Sequence, residues 1–245
     1  MIIEIIKCLK DNYSYLIIDE KLNTACVVDP SESEPIINYL DNNQVNLKFI
    51  LNTHHHYDHV GGNKELKKKY NVKVVGYEGD KQRIPEIDIF LRDQETWKSE
   101  NFEAKIFHIP GHTLGHISFY FFNEKILFTG DTLFSLGCGR IFEGTYEMMF
   151  KSLNIIKKFP LETKVYCGHE YTLQNSKFCI KYDESNSKLK KKIDSIKDKL
   201  NKGLPTIPST IKEELECNIF LRSEEKSVQK NLNLNNINSL QTFSK

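Results

Sequence analysis

The chain has no long unbroken apolar run; even the N-terminal Ile2-Ile3 and Ile5-Ile6 pairs are interrupted by Glu4 and followed by Lys7. Membrane spans and secretory leaders both need such a run, so neither is expected. The first residues include acids and almost no arginine, which argues against a mitochondrial transit peptide and makes the cytoplasm the default expectation. No C-x-x-C pair occurs among Cys8, Cys26, Cys138, Cys167, Cys179 and Cys217. A disulfide framework is therefore not expected, and these thiols read as small buried hydrophobes. A charge surplus is missing too: 34 basic against 33 acidic side chains leave a net +1, which is poor for tracking nucleic-acid phosphates. No internal repeat is evident, and nothing marks an obligate protein partner.

What is present is enough for a sizeable core: 245 residues, 39% of them apolar and 11% aromatic, suit one large domain with a small appendage and exclude disorder or a fibrous architecture. All eight histidines fall between His54 and His169. Residues 170–245 carry 14 basic and 10 acidic side chains, so a tail at +4 follows a body at −3. That asymmetry fits a metal-binding body and a mildly cationic tail, although Lys190-Lys191-Lys192 reads as a solvated helix face.

Short β-type runs at residues 2–7, 14–19 and 24–28 predict an antiparallel meander. Apolar Ile36, Ile37 and Leu40 at helical spacing predict a helix over 34–42, and a strand over 47–51 would complete a β-α-β unit. Further helices are expected at 63–70 and 145–157, with strands at 72–75, 104–109, 117–122, 125–129 and 164–166. The mixture points to α/β layers. Beyond His169 strand-like runs disappear; helices are expected over 189–200 and from Ile211 to about Glu216, with Ser209 or Thr210 as cap. The Asn-rich residues 231–245 read as poorly ordered.

The densest chemical signal is Thr53-His54-His55-His56-Tyr57-Asp58-His59, just past a predicted strand. In an extended segment alternate side chains share a face, so His54 and His56 can grip one cation while Asp58 and His59, across a turn, reach a second. So many polar groups are costly to bury without partners, and a metal is the natural partner. Gly111-His112-Thr113-Leu114-Gly115-His116, Thr129-Gly130-Asp131-Thr132 and Cys167-Gly168-His169-Glu170 also lie at strand ends, where open α/β sheets usually place their chemistry. The seven candidate ligands His54, His56, Asp58, His59, His112, Asp131 and His169 divide into two sets of three with one shared carboxylate, which suits a two-metal site.

These motifs resemble the metallo-β-lactamase superfamily and, more narrowly, the glyoxalase II or hydroxyacylglutathione hydrolase family. The narrower likeness adds Asp11-Asn12-Tyr13, Gly61-Gly62-Asn63, Phe128-Thr129-Gly130-Asp131-Thr132-Leu133-Phe134, Gly137-Cys138-Gly139-Arg140, Phe142-Glu143-Gly144-Thr145 and Tyr166-Cys167-Gly168-His169-Glu170-Tyr171-Thr172. Pro205-Thr206-Ile207-Pro208-Ser209-Thr210 extends it into the tail, and it covers residues 1 to about 230. The resemblance implies a four-layer αββα sandwich, residues 1–172, followed by a small helical substrate-binding domain, 173–245. It assigns His54, His56 and His112 to one divalent ion and Asp58, His59 and His169 to the other, with Asp131 bridging. His116 would support the site from outside, and His55 and His108 would be bystanders. Zinc is the expected metal, with iron or manganese as alternatives.

The implied reaction is hydrolysis of S-D-lactoylglutathione to D-lactate and glutathione, in methylglyoxal detoxification. A metal-bridging hydroxide, held with Asp58 and Asp131, would be the nucleophile, since metal binding lowers the pKa of water from 15.7 to about 7. The leaving thiolate needs no dedicated acid, because thiols have pKa values of about 8.5. The resemblance places Arg140, Phe142 and Tyr171 against the glutathione part. Phe142 stands where the family has tyrosine, and the tail lacks the family's basic R-x-x-K-D segment, so another thiol carrier such as trypanothione is an alternative. An iron-dependent persulfide dioxygenase is a second alternative; the sequence from Arg140 to Gly144 and the long tail argue against it.

Overall fold

The structure, a computed structural model, describes residues 1–232 and 238–244. The chain forms two compact units. Unit one holds residues 1–108, 115–124 and 128–130; unit two holds 109–114, 125–127 and 131–245.

Unit one opens with the expected meander, β1 (Ile2–Cys8), β2 (Asn12–Asp19) and β3 (Thr24–Val28), in which Ile5 pairs with Tyr15 and Ile17 with Cys26. Every residue of β2 and β3 is buried, which explains why they read as continuous apolar runs. Helix α1 (Glu34–Asn43) has proline in its first turn and ends on Gln44 at φ 55. It returns the chain to β4 (Asn46–Leu51), parallel to β3. A one-turn helix α2 (Tyr57–Val60) and α3 (Asn63–Tyr70) lead to β5 (Lys73–Tyr77) and β6 (Ile87–Leu91), both in parallel pairing. The sheet order is β1-β2-β3-β4-β5-β6. Leu16, Val27, Ile36, Leu40, Ile50, Leu66 and Val74 fill its core. Each such side chain contributes roughly 1.5–3 kcal/mol by leaving water.

Strand β6 escapes the sequence reading because it alternates apolar residues with Asp88 and an exposed Phe90 inside a charged stretch. Its Asp88 carboxylate accepts the Val74 N–H at 2.8 Å and a bond from Lys67 at 2.7 Å. A charged residue thus completes the strand's edge. Strands β7 (Thr96–Ser99), β8 (Phe102–His108) and β9 (Ile117–Phe121) follow in antiparallel order, with β10 (Ile126–Gly130) next in sequence of pairing. Residues 126–127 of β10 belong to unit two.

In unit two a hairpin, β11 (Leu133–Phe134) and β12 (Gly137–Cys138), precedes α4 (Tyr146–Ile156). Thr145 caps α4 by accepting the Met148 N–H. Strand β13 (Lys164–Cys167) is followed by α5 (Thr172–Tyr182) and α6 (Ser187–Asn201), then β14 (Ser209–Thr210), α7 (Ile211–Cys217), α8 (Lys226–Asn231) and α9 (Ser239–Phe243). Strand character therefore does not end at His169, since β14 pairs antiparallel with β13. Helix α5 carries no apolar stripe to predict it; its buried residues are Thr172, Ser176 and Cys179. Thr210 forms the anticipated cap of α7, as a capping box with Glu213.

The expectation of poor order over 231–245 lies outside the described residues at 233–237 and 245. For the rest it is corrected: Asn238 and Gln241 form a capping box for α9, whose Phe243 packs on Phe150 and Phe220. None of the six cysteines is joined in a disulfide, and five of them are buried. Burial pushes the Cys167 thiol up to about 12. Among the described residues, no helix is long and apolar enough to cross a membrane.

Candidate metal centre

Four candidate ligands lie in unit one, directly after β4. His54 is fully buried, its ring centroid 4.8 Å from that of His56 and 4.2 Å from that of His59. Asp58 and His59 were expected across a turn; instead they ride on helix α2, with His56 at its N-cap. On this turn His59 is buried while Asp58 stays half-exposed, its Oδ2 lying 3.6 Å from His59 Nε2.

The residue that organises this group is Asp29, which belongs to none of the histidine-bearing motifs. It follows β3 in a left-handed conformation, φ 48, that side-chain-bearing residues seldom adopt. Its carboxylate accepts the Thr53 N–H at 2.7 Å and the Thr53 hydroxyl at 2.6 Å, and its Oδ2 lies 3.1 Å from His59 Nδ1. One donor atom from each of Asp29, His54 and His59 falls within 4.8 Å of the others, so Asp29 could be taken for a ligand. Its commitments to Thr53 and His59 give it the role of orienting donors. Because the Thr53 hydroxyl donates to Asp29, it accepts at His54 Nδ1, 3.0 Å away. Both Nδ1 atoms thus carry the proton, which leaves the Nε2 lone pairs as the ones that could hold a cation.

Supporting amides complete this half. Asn12 Nδ2 donates to both the carbonyl and Oδ2 of Asp58, each at 3.0 Å. Asn52 Nδ2 donates to the His59 carbonyl at 3.1 Å and is locked by Asn63, whose Nδ2 donates to Asn52 Oδ1 at 2.7 Å. Gly130, φ +46, gives Thr53 its room, since a Cβ there would stand 2.4 Å from Thr53 Oγ1. His116 is buried and stacks on His54 at 4.6 Å. His55 bonds the buried Asp80 at 3.1 Å. Burial raises the Asp80 carboxyl, but bonds from His55 and Arg83 outweigh this and hold it below the usual range. His108 stacks on Tyr77, consistent with a structural residue.

The other three candidate ligands lie in unit two. Asp131 follows β10, and its Oδ2 is 3.5 Å from His112 Nε2 and 3.3 Å from His169 Nε2. One carboxylate oxygen therefore faces the Nε2 atoms of two histidines. His112 Nδ1 donates to the Arg140 carbonyl at 2.7 Å, the same tautomer logic as in unit one. Gly139 lets the Asp131 backbone pass close by, because a Cβ there would overlap the Asp131 carbonyl oxygen. Glu170 accepts from both the N–H and the hydroxyl of Thr206, at 2.8 and 2.6 Å, which ties the strand-end motif to the loop after α6.

The three residues expected against substrate are also in unit two. The Arg140 guanidinium sits 5.4 Å over the Phe142 ring, and Phe142 meets the His112 ring edge-on at 5.2 Å. Tyr171 stacks on His169 at 4.7 Å and 7°. Phe142 is 60% exposed and Tyr171 36%, so both rings reach solvent.

A nitrogen-and-carboxylate donor set of this kind fits divalent first-row metals. Comparison with known proteins gives a consistent picture. Residues 10–169 match the family model of the metallo-beta-lactamase superfamily, and residues 170–245 match that of the hydroxyacylglutathione hydrolase C-terminus. Hydroxyacylglutathione hydrolase of Pelagibacter ubique is 70% identical over 223 residues, 91% of this chain and 93% of that one. The Methylococcus capsulatus hydroxyacylglutathione hydrolase is 41% identical over 97% of this chain and 93% of its own length. Among solved structures, the BLEG-1 B3 metallo-beta-lactamase superposes with a TM-score of 0.71 at 22% identity, covering 90% of this chain and 99% of that one. TTHA1623, solved in a di-iron-bound form, gives 0.55 at 26% identity over 69% of this chain and 92% of its own.

Proposed function

The chain belongs to the metallo-β-lactamase superfamily and, within it, to the hydroxyacylglutathione hydrolases, and from that premise we propose how its residues carry out the reaction. It is a thioester hydrolase that cleaves S-2-hydroxyacylglutathione, with S-D-lactoylglutathione as the proposed substrate and D-lactate and glutathione as products. In this reading His54, His56 and His112 hold one divalent cation, Asp58, His59 and His169 hold a second, and Asp131 is shared. Residues 1–172 carry that catalytic machinery and 173–245 shape the substrate side, with the cytoplasm as the proposed compartment.

The observation that carries the assignment is the position of Asp131 Oδ2, close to Nε2 of both His112 and His169, one histidine from each proposed set. Bound cations supply an acidified water as nucleophile and polarise the thioester carbonyl. Zinc is the proposed metal; the same donors accept iron or manganese, and a 26% identical relative was solved with two irons. The chain's own part is orientation. Thr53, Asp29 and the Arg140 carbonyl fix three histidine tautomers, and Asn12 holds the Asp58 carboxylate. Arg140 pairs with a glutathione carboxylate, and Phe142 and Tyr171 supply aromatic faces. Lacking the hydroxyl, Phe142 forgoes one hydrogen bond, worth roughly 0.5–1.5 kcal/mol.

The test is hydrolysis of S-D-lactoylglutathione by the purified protein before and after chelation, with metal content measured on the same samples. Activity should vanish with the metal and return on zinc addition. Hydrolysis indifferent to chelation would overturn the metal assignment, and oxygen uptake with glutathione persulfide in place of hydrolysis would overturn the reaction. A strong preference for the trypanothione thioester would replace only the thiol carrier.

A further inference from the structure

Between Asp131 and Arg140 the β11–β12 hairpin pairs Leu133 with Cys138 and Phe134 with Gly137, leaving Ser135 and Leu136 as its two-residue turn. Such turns favour glycine or asparagine wherever φ is positive. Here the positive position, φ 59, is occupied by Leu136, a fully buried leucine. Local sequence does not favour this conformation, so something distant in the chain must hold it.

The holding groups are side chains of α5 and of the end of α7. Asn218 Nδ2 lies 3.0 Å from the Gly137 carbonyl and 3.3 Å from that of Phe134, which share one N–H while the other goes to Glu214. Asn175 Nδ2 takes the Ser135 carbonyl at 3.0 Å, and the Cys179 thiol, pushed up to about 12 by burial and so still a donor, takes that of Leu136 at 3.1 Å. Four successive carbonyls are therefore engaged by side chains from α5 and from the end of α7. The Leu136 N–H donates to Glu214 Oε2 at 2.9 Å, and the same oxygen accepts from Asn218 at 2.9 Å. Glu214 and Asn218, four residues apart, are both fully buried. The Leu136 side chain packs with Cys179, Leu189, Ile196 and Ile219 in the core of the helical region.

What the hairpin carries gives the clamp its meaning. Phe134 meets Tyr171 edge-on at 5.3 Å and His169 at 5.9 Å. After β12 the chain runs through Gly139 into Arg140, whose carbonyl fixes His112. We propose that Glu214 and Asn218 are positioning residues, a buried clamp through which the helical region sets the hairpin, and with it Arg140 and Tyr171, against the glutathione part of the substrate. This rests on the substrate contacts proposed above. The clamp needs an acceptor oxygen at residue 214 rather than a charge, and burial indeed raises the Glu214 carboxyl. Glutamine can therefore serve in its place.

The experiment compares Asn218→Ala, Glu214→Leu and Glu214→Gln as metal-loaded full-length proteins. Loss of the clamp should raise KM for S-D-lactoylglutathione about tenfold in the first two, the scale of one or two lost hydrogen bonds, with kcat within about twofold. Metal content should not change, and Glu214→Gln should restore the wild-type KM. Hydrogen exchange across residues 133–140 should accelerate in Asn218→Ala and not in Glu214→Gln. That arm needs no substrate, so it reads the clamp even if the wild-type protein failed to hydrolyse the thioester. Unchanged local exchange, equal behaviour of the leucine and glutamine variants, or a fall in kcat and metal content at constant KM would each overturn the proposal. Should Glu214→Leu not fold, the half-buried Asn175→Ala takes its place; an unchanged KM in both alanine variants overturns it.

Discussion

Asp29 shows how much of a metal centre's chemistry can rest on a side chain that need not touch the metal. Its carboxylate stands between Thr53 and His59, and through Thr53 it sets the tautomer of His54 as well. Replacing a group that orients metal-binding histidines typically costs about 10–100-fold in metal affinity or activity. Asp29→Ala is expected to lose metal affinity on that scale while retaining its fold, as checked by metal titration alongside circular dichroism. The candidate ligands were legible in the sequence because histidine and aspartate at strand ends announce themselves by type and spacing. Asp29 also ends a strand, in Asp29-Pro30-Ser31, and the same rule could have flagged it. Its partners, however, are 24 and 30 residues away, and pairings of that range leave no local pattern. Asn12, 46 residues from Asp58, was noticed as part of a motif, but its contact came only from the fold.

At the scale of elements, α7 is the clearest case of a helix whose buried face is polar for a reason. Burial raises the Glu214 carboxyl above its ordinary value of 4.5. Between that value and the higher folded one, the native state binds more protons than the unfolded chain, so this group's contribution to stability falls as pH rises through the window. Glu214→Gln should thus gain on the wild type as pH increases above about 4.5, measured by urea unfolding at a series of pH values. A difference independent of pH would show that the carboxyl does not titrate this way. Amphipathic or continuously apolar elements such as β2, β3, α1 and α3 were readable from periodicity. Those that bury small polar residues, as α5 does, or that carry charge at an edge, as β6 does, were not. Asp88 in β6 is held by hydrogen bonds from Lys67 and Val74, and α5 packs Cys179 with Leu173 and Ile180 beside buried Thr172 and Ser176, mixtures that leave no clean apolar period. The tail is hard to read for a related reason, because α9 rests on its capping box and on the tertiary contacts of Phe243 and Thr242.

For the whole molecule, the proposed ligands are His54, His56, Asp58, His59, His112, Asp131 and His169. Ions bound only by the folded protein stabilise it by mass action, about 2.7 kcal/mol for free metal at 100 times Kd. Chelation should therefore lower Tm by several degrees and zinc should restore it, as read by calorimetry at fixed protein concentration. An unchanged Tm would argue that the donors do not bind metal in the folded state. By itself the sequence determined the α/β class, the strand-end placement of the candidate ligands and the family, since side-chain type, hydrophobic period and motif spacing are local properties. Only the tertiary structure decided which nitrogen each tied histidine presents, which amide holds Asp58, and why a leucine can occupy a left-handed turn beside Arg140. Those are outcomes of hydrogen bonds between residues far apart in the chain, and they exist only once the backbone has brought the partners within about 3 Å.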